Sequence, residues 1–378
     1  MKYPRPLAPR VGVVGAGYWG PNLIRNLTEL PGSPLAAVAD SNPARLATIR
    51  ARYPAIILHD SGTALFADPS VDAVVIATPA ETHYALAREA LDHGKHVFVE
   101  KPLATSGDQC LDLARRADEA GLTLMTGHTF LHNDALRWTR GRIESGNLGD
   151  VMYLYSRRLN LGQVRQDINV VWNLAPHDIS IMGFLTGARP IRVSCAGYAY
   201  LQPGVEDVAF ITLEYPPATL GGTPRSAHIH VSWLDPHKVR EVVVVGTRQM
   251  IVYDDVDADR VIQVYDKGVD RVPAPGQPDS DPRERAESYG DFKLMLRWGD
   301  LHIPRLRVTE PLRNEMAHFV RCVATGVRPL TDAVNGWEVV RVLETCDQSL
   351  ARGSSPVDVD WSVPDDAPDA FHVPRITL

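Results

Sequence analysis

Val11-Gly12-Val13-Val14-Gly15-Ala16-Gly17-Tyr18-Trp19-Gly20 carries a short apolar run into a G-x-G-x-x-G turn. A strand that ends this way and opens a helix is the fingerprint of a dinucleotide site. Gly15 permits the tight turn, Gly17 lets the backbone come close to a pyrophosphate, and Gly20 lets the next helix pack on the sheet. Tyr18 and Trp19 lie within the same turn and are counted with the cofactor site. The amphipathic stretch Asn22 to Leu30 follows, and its unpaired N-terminal N–H groups suit phosphates. Asp40 closes a second apolar run, Leu35 to Ala39, where its carboxylate can accept from an adenosine ribose. That charge would repel a 2′-phosphate. NAD is therefore expected in preference to NADP, with Arg45 the nearby cation able to reach round. The plainer alternative, a capping Asp before the helix that Pro43 begins, is compatible with the ribose role.

A chain of 378 residues with 44% hydrophobic content can fill two cores. The expected division is a dinucleotide-binding domain over 1–128 and a substrate-binding and oligomerisation domain over 129–378. Cys110, Cys195, Cys322 and Cys346 are scattered without C-x-x-C spacing, which fits buried thiols and a reducing compartment and predicts no metal site. No apolar run reaches membrane-spanning length, and Met1-Lys2-Tyr3-Pro4-Arg5-Pro6 lacks the core of a signal peptide, so a cytoplasmic protein is expected. A net charge of −7 offers no basic stripe to nucleic acid.

The first third alternates strands with helices. Strands are expected near Val11–Val14, Leu35–Ala39, Ala73–Ala77, His96–Glu100 and Leu122–Thr126. Helices are expected after Gly20 and over Pro43–Tyr53, Glu81–His93 and Ser106–Ala120. This α/β rhythm belongs to a doubly wound parallel sheet, which binds ligands at the carboxyl ends of its strands. There stand Thr78-Pro79 and Glu100-Lys101-Pro102. From His128 onwards a helix, Asn133 to Ser145, gives way to long strands over Val151–Arg158, Val208–Tyr215, Ala227–Trp233, Glu241–Val245 and Met250–Tyr253. These predict an α+β domain on a large open, mostly antiparallel sheet. Helices cover one face, and a second copy of the chain is the economical cover for the other, as a homodimer or homotetramer. Pro273 to Ser288 reads as a mobile loop, Leu312–Thr325 and Asn335–Ala351 as helices, and the tail after Trp361 as an arm or disordered end.

Lys101 ends a strand at the cofactor edge, where its ammonium can donate to a substrate hydroxyl; a solvated strand-end lysine is the plainer reading. In Val171-Trp172-Asn173-Leu174-Ala175-Pro176-His177-Asp178, Pro176 suits a first helical turn with His177 just inside it. If that helix begins early enough, Asn173 and His177 share a face and can hold one ligand. Alone, His177 reads as a structural histidine. Arg157, Arg158 and Arg165 precede this cluster and can grip a nucleotide diphosphate or a uronate, or can simply be exposed strand-end cations.

Taken together, Gly15–Gly20, Ala77-Thr78-Pro79 with His83, Gly94 to Leu103 with its Glu100-Lys101-Pro102, Ala175-Pro176-His177-Asp178 and Ser232-Trp233-Leu234-Asp235-Pro236 make the chain resemble the glucose-fructose oxidoreductase and inositol dehydrogenase family over nearly its whole length. The resemblance implies a Rossmann domain, a second domain with a large open sheet, and oligomers built through it. It implies an NAD(P)-dependent sugar dehydrogenase, with Lys101 orienting an alcohol and His177 taking its proton. Thr78, Pro79, His83 and Glu100 join the cofactor site, and Trp172, Asn173, Arg157 and Arg165 the substrate site. The substrate class is a sugar or cyclic polyol, with a nucleotide-linked sugar oxidised at C3 as the specific form. Where the family commonly has Asp four residues before the histidine, this chain has Asn173. A neutral amide cannot stabilise an imidazolium by charge. That keeps a second class of activity open, an NAD-retaining lyase, epimerase or glycosidase using transient oxidation, and a third, a non-catalytic NAD-binding protein.

Overall fold

Short runs of Val, Ile and Ala, buried on both faces, build the first sheet, as a parallel sheet covered on both sides requires. In the computed structural model, which describes residues 9–162, 164–217, 224–273, 292–307 and 309–372, this region alternates strand and helix. It comprises β1 (Val11–Val14), α1 (Gly20–Glu29), β2 (Leu35–Ala39), α2 (Pro43–Arg52), β3 (Ile57–His59), α3 (Gly62–Phe66), β4 (Ala73–Ile76), α4 (His83–Asp92), β5 (His96–Glu100), α5 (Gly107–Glu119) and β6 (Leu124–Gly127). The strands pair in parallel in the order β3-β2-β1-β4-β5-β6. Two elements lay below the sequence pattern. β3 is a three-residue edge strand buried on neither side, and α3 is a five-residue helix. The helix expected from Glu81 begins as a 3-10 turn, Ala80–Thr82, before α4.

A second unit begins at Asp134. It contains α6 (Asp134–Glu144), β7 (Val151–Leu159), α7 (Val170–Thr186), β8 (Arg192–Tyr198), β9 (Val208–Pro217), β10 (Pro224–Ser232), β11 (Val239–Gly246), β12 (Met250–Asp254), β13 (Ile262–Pro273) and β14 (Phe292–His302). These strands form one open sheet that is antiparallel except where β7 lies parallel to β10. Alternation sorts its faces. Leu154, Ser156 and Arg158 of β7, Ile211 and Leu213 of β9, and Ala227 and Ile229 of β10 are buried on the side where α7 packs. Tyr153 and Phe210 are exposed on the other, where the Phe210 and His230 rings stack at 4.2 Å. β8, β13 and β14 were not anticipated. In the last two, Lys267, Trp298 and Leu296 interleave charge and exposed apolar groups without a single apolar face. The expected loop over 273–288 lies, past Pro273, outside the described residues.

After β14 the chain returns to the first unit, so the division at residue 128 is corrected in one respect: Thr309–Glu344 and the stretch from Asp360 belong with the dinucleotide fold. The reason is burial. α8 (Pro311–Thr325) inserts Leu312, Met316 and Phe319 among Val13, Leu23, Ile24, Leu27 and Phe98. Glu310, just before it, binds Arg25 of α1 at 2.5 Å. α9 (Ala333–Ala351) follows, then β15 (Val357–Asp358), which closes the open sheet beside β8. The tail expected to be an arm or disordered instead forms α10 (Asp369–His372) within its described part. Phe371 is buried there, edge-on to Trp337 at 5.4 Å.

Candidate active site

The glycine turn is dictated by its backbone. Gly15 has φ +98°, and a Cβ there would lie 2.7 Å from the Ala77 carbonyl oxygen. A Cβ on Gly20 would lie 2.1 Å from the carbonyl oxygen of Gly15. Gly17 is different: the nearest atom a Cβ would meet is the Arg45 guanidinium, at 3.8 Å. The fold does not need a glycine at that position, but a ligand lying on the turn would. No side chain caps the start of α1 at Trp19, and because Pro21 has no N–H and the Asn22 N–H donates to the Trp19 carbonyl oxygen at 3.0 Å, what this end offers a phosphate is the positive end of the helix dipole beside a turn free of side chains. This cradle fits a dinucleotide.

Asp40 fastens the turn. Its Oδ2 accepts the Ala16 N–H at 2.7 Å, and its Oδ1 accepts the Asn42 N–H at 2.8 Å. The alternative role as helix cap falls to Asn42, which accepts the Ala44 N–H at 2.9 Å. Arg45 does reach round, with Nη1 3.4 Å from Asp40 Oδ2.

At the carboxyl ends of β4 and β5, Trp19 Nε1–H donates to Glu100 Oε1 at 2.8 Å. The Glu100 carboxylate also accepts the Lys101 backbone N–H. Desolvation pushes Glu100 up to about 7 against the opposing pull of the Lys101 ammonium. Lys101 is partly buried and its bond to Pro102 is cis. Thr78 accepts the Thr82 hydroxyl at 2.7 Å, and Pro79 ends the same segment. His83 was expected at the cofactor. Instead it is buried behind the strand ends, with Nδ1 2.7 Å from the Pro102 carbonyl oxygen and Nε2 2.9 Å from that of Thr78. It clamps the segments that carry Thr78 and Lys101, and burial lowers its pKa.

One residue escaped sequence reasoning. Glu315 of α8 is fully buried, its Oε2 accepting the Thr129 hydroxyl at 2.7 Å. Desolvation and then the charge of Glu100 hold it well above the ordinary carboxyl range. The signal was present in the sequence, since Glu315 interrupts the apolar stripe Leu312, Met316, Phe319 of an amphipathic helix.

In the second unit, α7 begins at Val170 because Asn169 accepts the Trp172 N–H at 3.1 Å. Pro176 is therefore inside the helix and not in its first turn, which is a correction. The early start places Asn173 and His177 one helical turn apart on one face. Trp233 Nε1–H donates to Asn173 Oδ1 at 3.2 Å, and Trp172 Nε1–H donates to Asp347 at 2.8 Å. The three arginines are all engaged by carboxylates. Arg158 and Asp178 form a buried pair at 2.6 Å, Arg157 binds Glu241 at 2.8 Å, and Arg165 binds Asp167. Arg157 also lies on the face of β7 opposite α7, so the structure does not bring it together with His177. All four cysteines are buried thiols, as expected. Among the described residues no helix is long and apolar enough to cross a membrane.

Two family descriptions match the chain: an oxidoreductase family with an NAD-binding Rossmann fold, GFO_IDH_MocA, over residues 9–128, and the GFO/IDH/MocA C-terminal domain over 136–252. The 2,7-anhydro-N-acetylneuraminate hydratase of Escherichia coli K12 is 26% identical, over 91% of this chain and 94% of its own length. Inositol 2-dehydrogenase 2 of Saccharopolyspora erythraea is 27% identical, over 92% and 95%. The solved UDP-N-acetylglucosamine 3-dehydrogenase of Acidithiobacillus ferrooxidans superposes with a TM-score of 0.69 at 24% identity, covering 90% of this chain and 97% of that one, and so shares the fold.

Proposed function

This chain belongs to the GFO/IDH/MocA family of NAD-binding oxidoreductases, and from that premise we propose that it oxidises or reduces a secondary alcohol of a sugar or cyclic polyol. Nicotinamide, when bound, supplies the hydride acceptor or donor. The observation that carries the reading is the Trp19–Glu100 hydrogen bond, which ties the Lys101 segment to the dinucleotide turn. Lys101 orients the alcohol oxygen and stabilises charge developing on it. His177 takes or returns the hydroxyl proton, while Asn173, held by Trp233, aligns the same group. The almost fully buried Asp40 carboxylate favours NAD over NADP, Arg45 offsetting only part of its charge. A nucleotide-linked sugar, oxidised at C3, is the specific substrate class we assign, in keeping with the name of the Acidithiobacillus enzyme. The exposed sheet face around Tyr153 and Phe210 is assigned to assembly of two or four copies, and the four buried free thiols support a reducing compartment, which we assign as the cytoplasm.

The test is nicotinamide fluorescence with NAD and with NADP against UDP- and dTDP-linked hexoses, uronates and inositols. Net NADH formation with one class is expected. Lys101→Met should lower turnover about 10²- to 10⁴-fold with NAD affinity kept. Asn173 favours a second reading, since it lacks the charge to stabilise an imidazolium and a relative is named a hydratase. In that reading the nucleotide stays bound and is restored in each cycle. NAD(H) released on denaturation from a protein that gives no net reduction would establish it. Asn173→Asp should preserve or raise dehydrogenase turnover, whereas its complete loss would show that the neutral amide is required.

A further inference from the structure

The first unit buries a carboxyl that the proposed reaction does not use. Glu315 is fully buried, and its one hydrogen-bond donor is the Thr129 hydroxyl, on Oε2. No described residue donates to Oε1, and no Lys or Arg among the described residues pairs with it. A buried carboxylate with a single neutral donor loses several kcal/mol of hydration without repayment. A carboxylic acid in the same place needs only one acceptor for its O–H. Glu100 is the carboxylate whose charge acts on Glu315: it accepts from Trp19 at Oε1 and from the Lys101 backbone N–H, and its Oε2 is turned toward Gly127, 3.0 Å from the space a Cβ would fill there. Gly127 ends the strand from which the chain passes directly to Thr129, the residue that holds Glu315.

We propose that Glu315 is carried as the neutral acid and shares its Oε1 proton with Glu100, making the two carboxyls one positioning unit that links α8 to the Lys101 segment and, through Trp19, to the glycine turn. The proton passes between O–H and O⁻, so the pair keeps a single negative charge. That charge faces the Lys101 ammonium and holds the residue that the alcohol meets. The titratable neighbours are Lys101 after β5, His128 and His132 in the segment after β6, both buried, and His318 of α8, whose ring lies 5.1 Å from that of His132. The assignment of a task to this unit rests on the oxidoreductase reading; the protonation state of Glu315 does not.

Infrared difference spectroscopy of the full chain at pH 8 separates the two. Wild type should show the C=O stretch of a protonated carboxyl, lost in Glu315→Gln and shifted in Glu100→Gln. Persistence of the band in a folded Glu315→Gln protein, or its absence from wild type, overturns the proposal. If Glu315→Gln does not fold, a carbon-13 titration of wild-type glutamate side chains decides the same point. For the task, Glu315→Gln retains a neutral donor and should leave the pH profile of turnover in place. Glu315→Leu removes the donor and should cost about tenfold in turnover while shifting the profile, the worth of a hydrogen bond to a charged group. An unshifted profile reduces Glu315 to packing. Failure of every form to bind NAD refutes the oxidoreductase reading and leaves the infrared result standing.

Discussion

The turn at Gly15–Gly20 and the face of α7 are both candidate reaction surfaces, but they are held in different ways. The turn is shaped by the absence of side chains: two glycines sit where a methyl group would strike a carbonyl oxygen, and Asp40 binds backbone N–H groups. The α7 face is shaped by pairs of side chains, Trp233 with Asn173, Trp172 with Asp347 and Arg158 with Asp178. A surface made by backbone sterics tolerates almost no variation and serves a ligand that does not vary, the dinucleotide. A surface made by paired side chains can be re-paired, which suits the substrate-facing role proposed for it.

The largest effect should come from breaking the deepest of those pairs. Asp178→Ala strands the buried Arg158 guanidinium and should cost about 3–5 kcal/mol of stability, read by denaturant unfolding. Arg158→Met with Asp178→Leu should recover much of that loss, because replacing both charges removes the unpaired ion. If the single variant is as stable as wild type, the pair does not hold the face and the contrast with the turn fails.

The two surfaces also differ in how far they could be read from the sequence. The turn, the strand ends at Thr78 and Lys101, and the parallel pairing were legible because a period of buried apolar residues and a few obligatory glycines leave little choice, whereas the three-residue edge strand β3 was not. On α7 the residues were legible but their setting was not. Asn169 as a cap was hidden among polar loop residues, so Pro176 was placed one and a half turns too early in the helix. Arg157 and Arg158 are neighbours in sequence, yet the two-residue period of β7 sends them to opposite faces and different carboxylates. The return of α8 to the first unit depends on contacts far apart in the chain, which no local pattern encodes.

Within the turn, two glycines should respond in opposite ways to the same added methyl. Gly20→Ala drives a Cβ against a backbone oxygen and should cost about 1–3 kcal/mol of stability, as overpacking does. Gly17→Ala has room in the protein and should melt like wild type, yet lose NAD affinity because the methyl occupies the ligand's place. Calorimetry paired with NAD titration makes the comparison. Equal stability losses in the two variants would mean that Gly17 is structural and that the cradle has been misassigned.

The smallest effect belongs to Trp233, and it sharpens the contrast most. Its indole N–H fixes which way the Asn173 amide faces, since Oδ1 accepts and Nδ2 is thereby turned away from the indole. Trp233→Phe keeps most of the buried ring and removes only the donor, so stability should fall by about 1 kcal/mol. Turnover should fall about fivefold, the same energy expressed in the barrier, with NAD affinity unchanged. Trp233→Phe in an Asn173→Ala background should cost nothing further in turnover, because the donor then has no amide to align. Additive losses would show that the indole acts on the substrate face independently of Asn173, and that this face is not organised by its pairs.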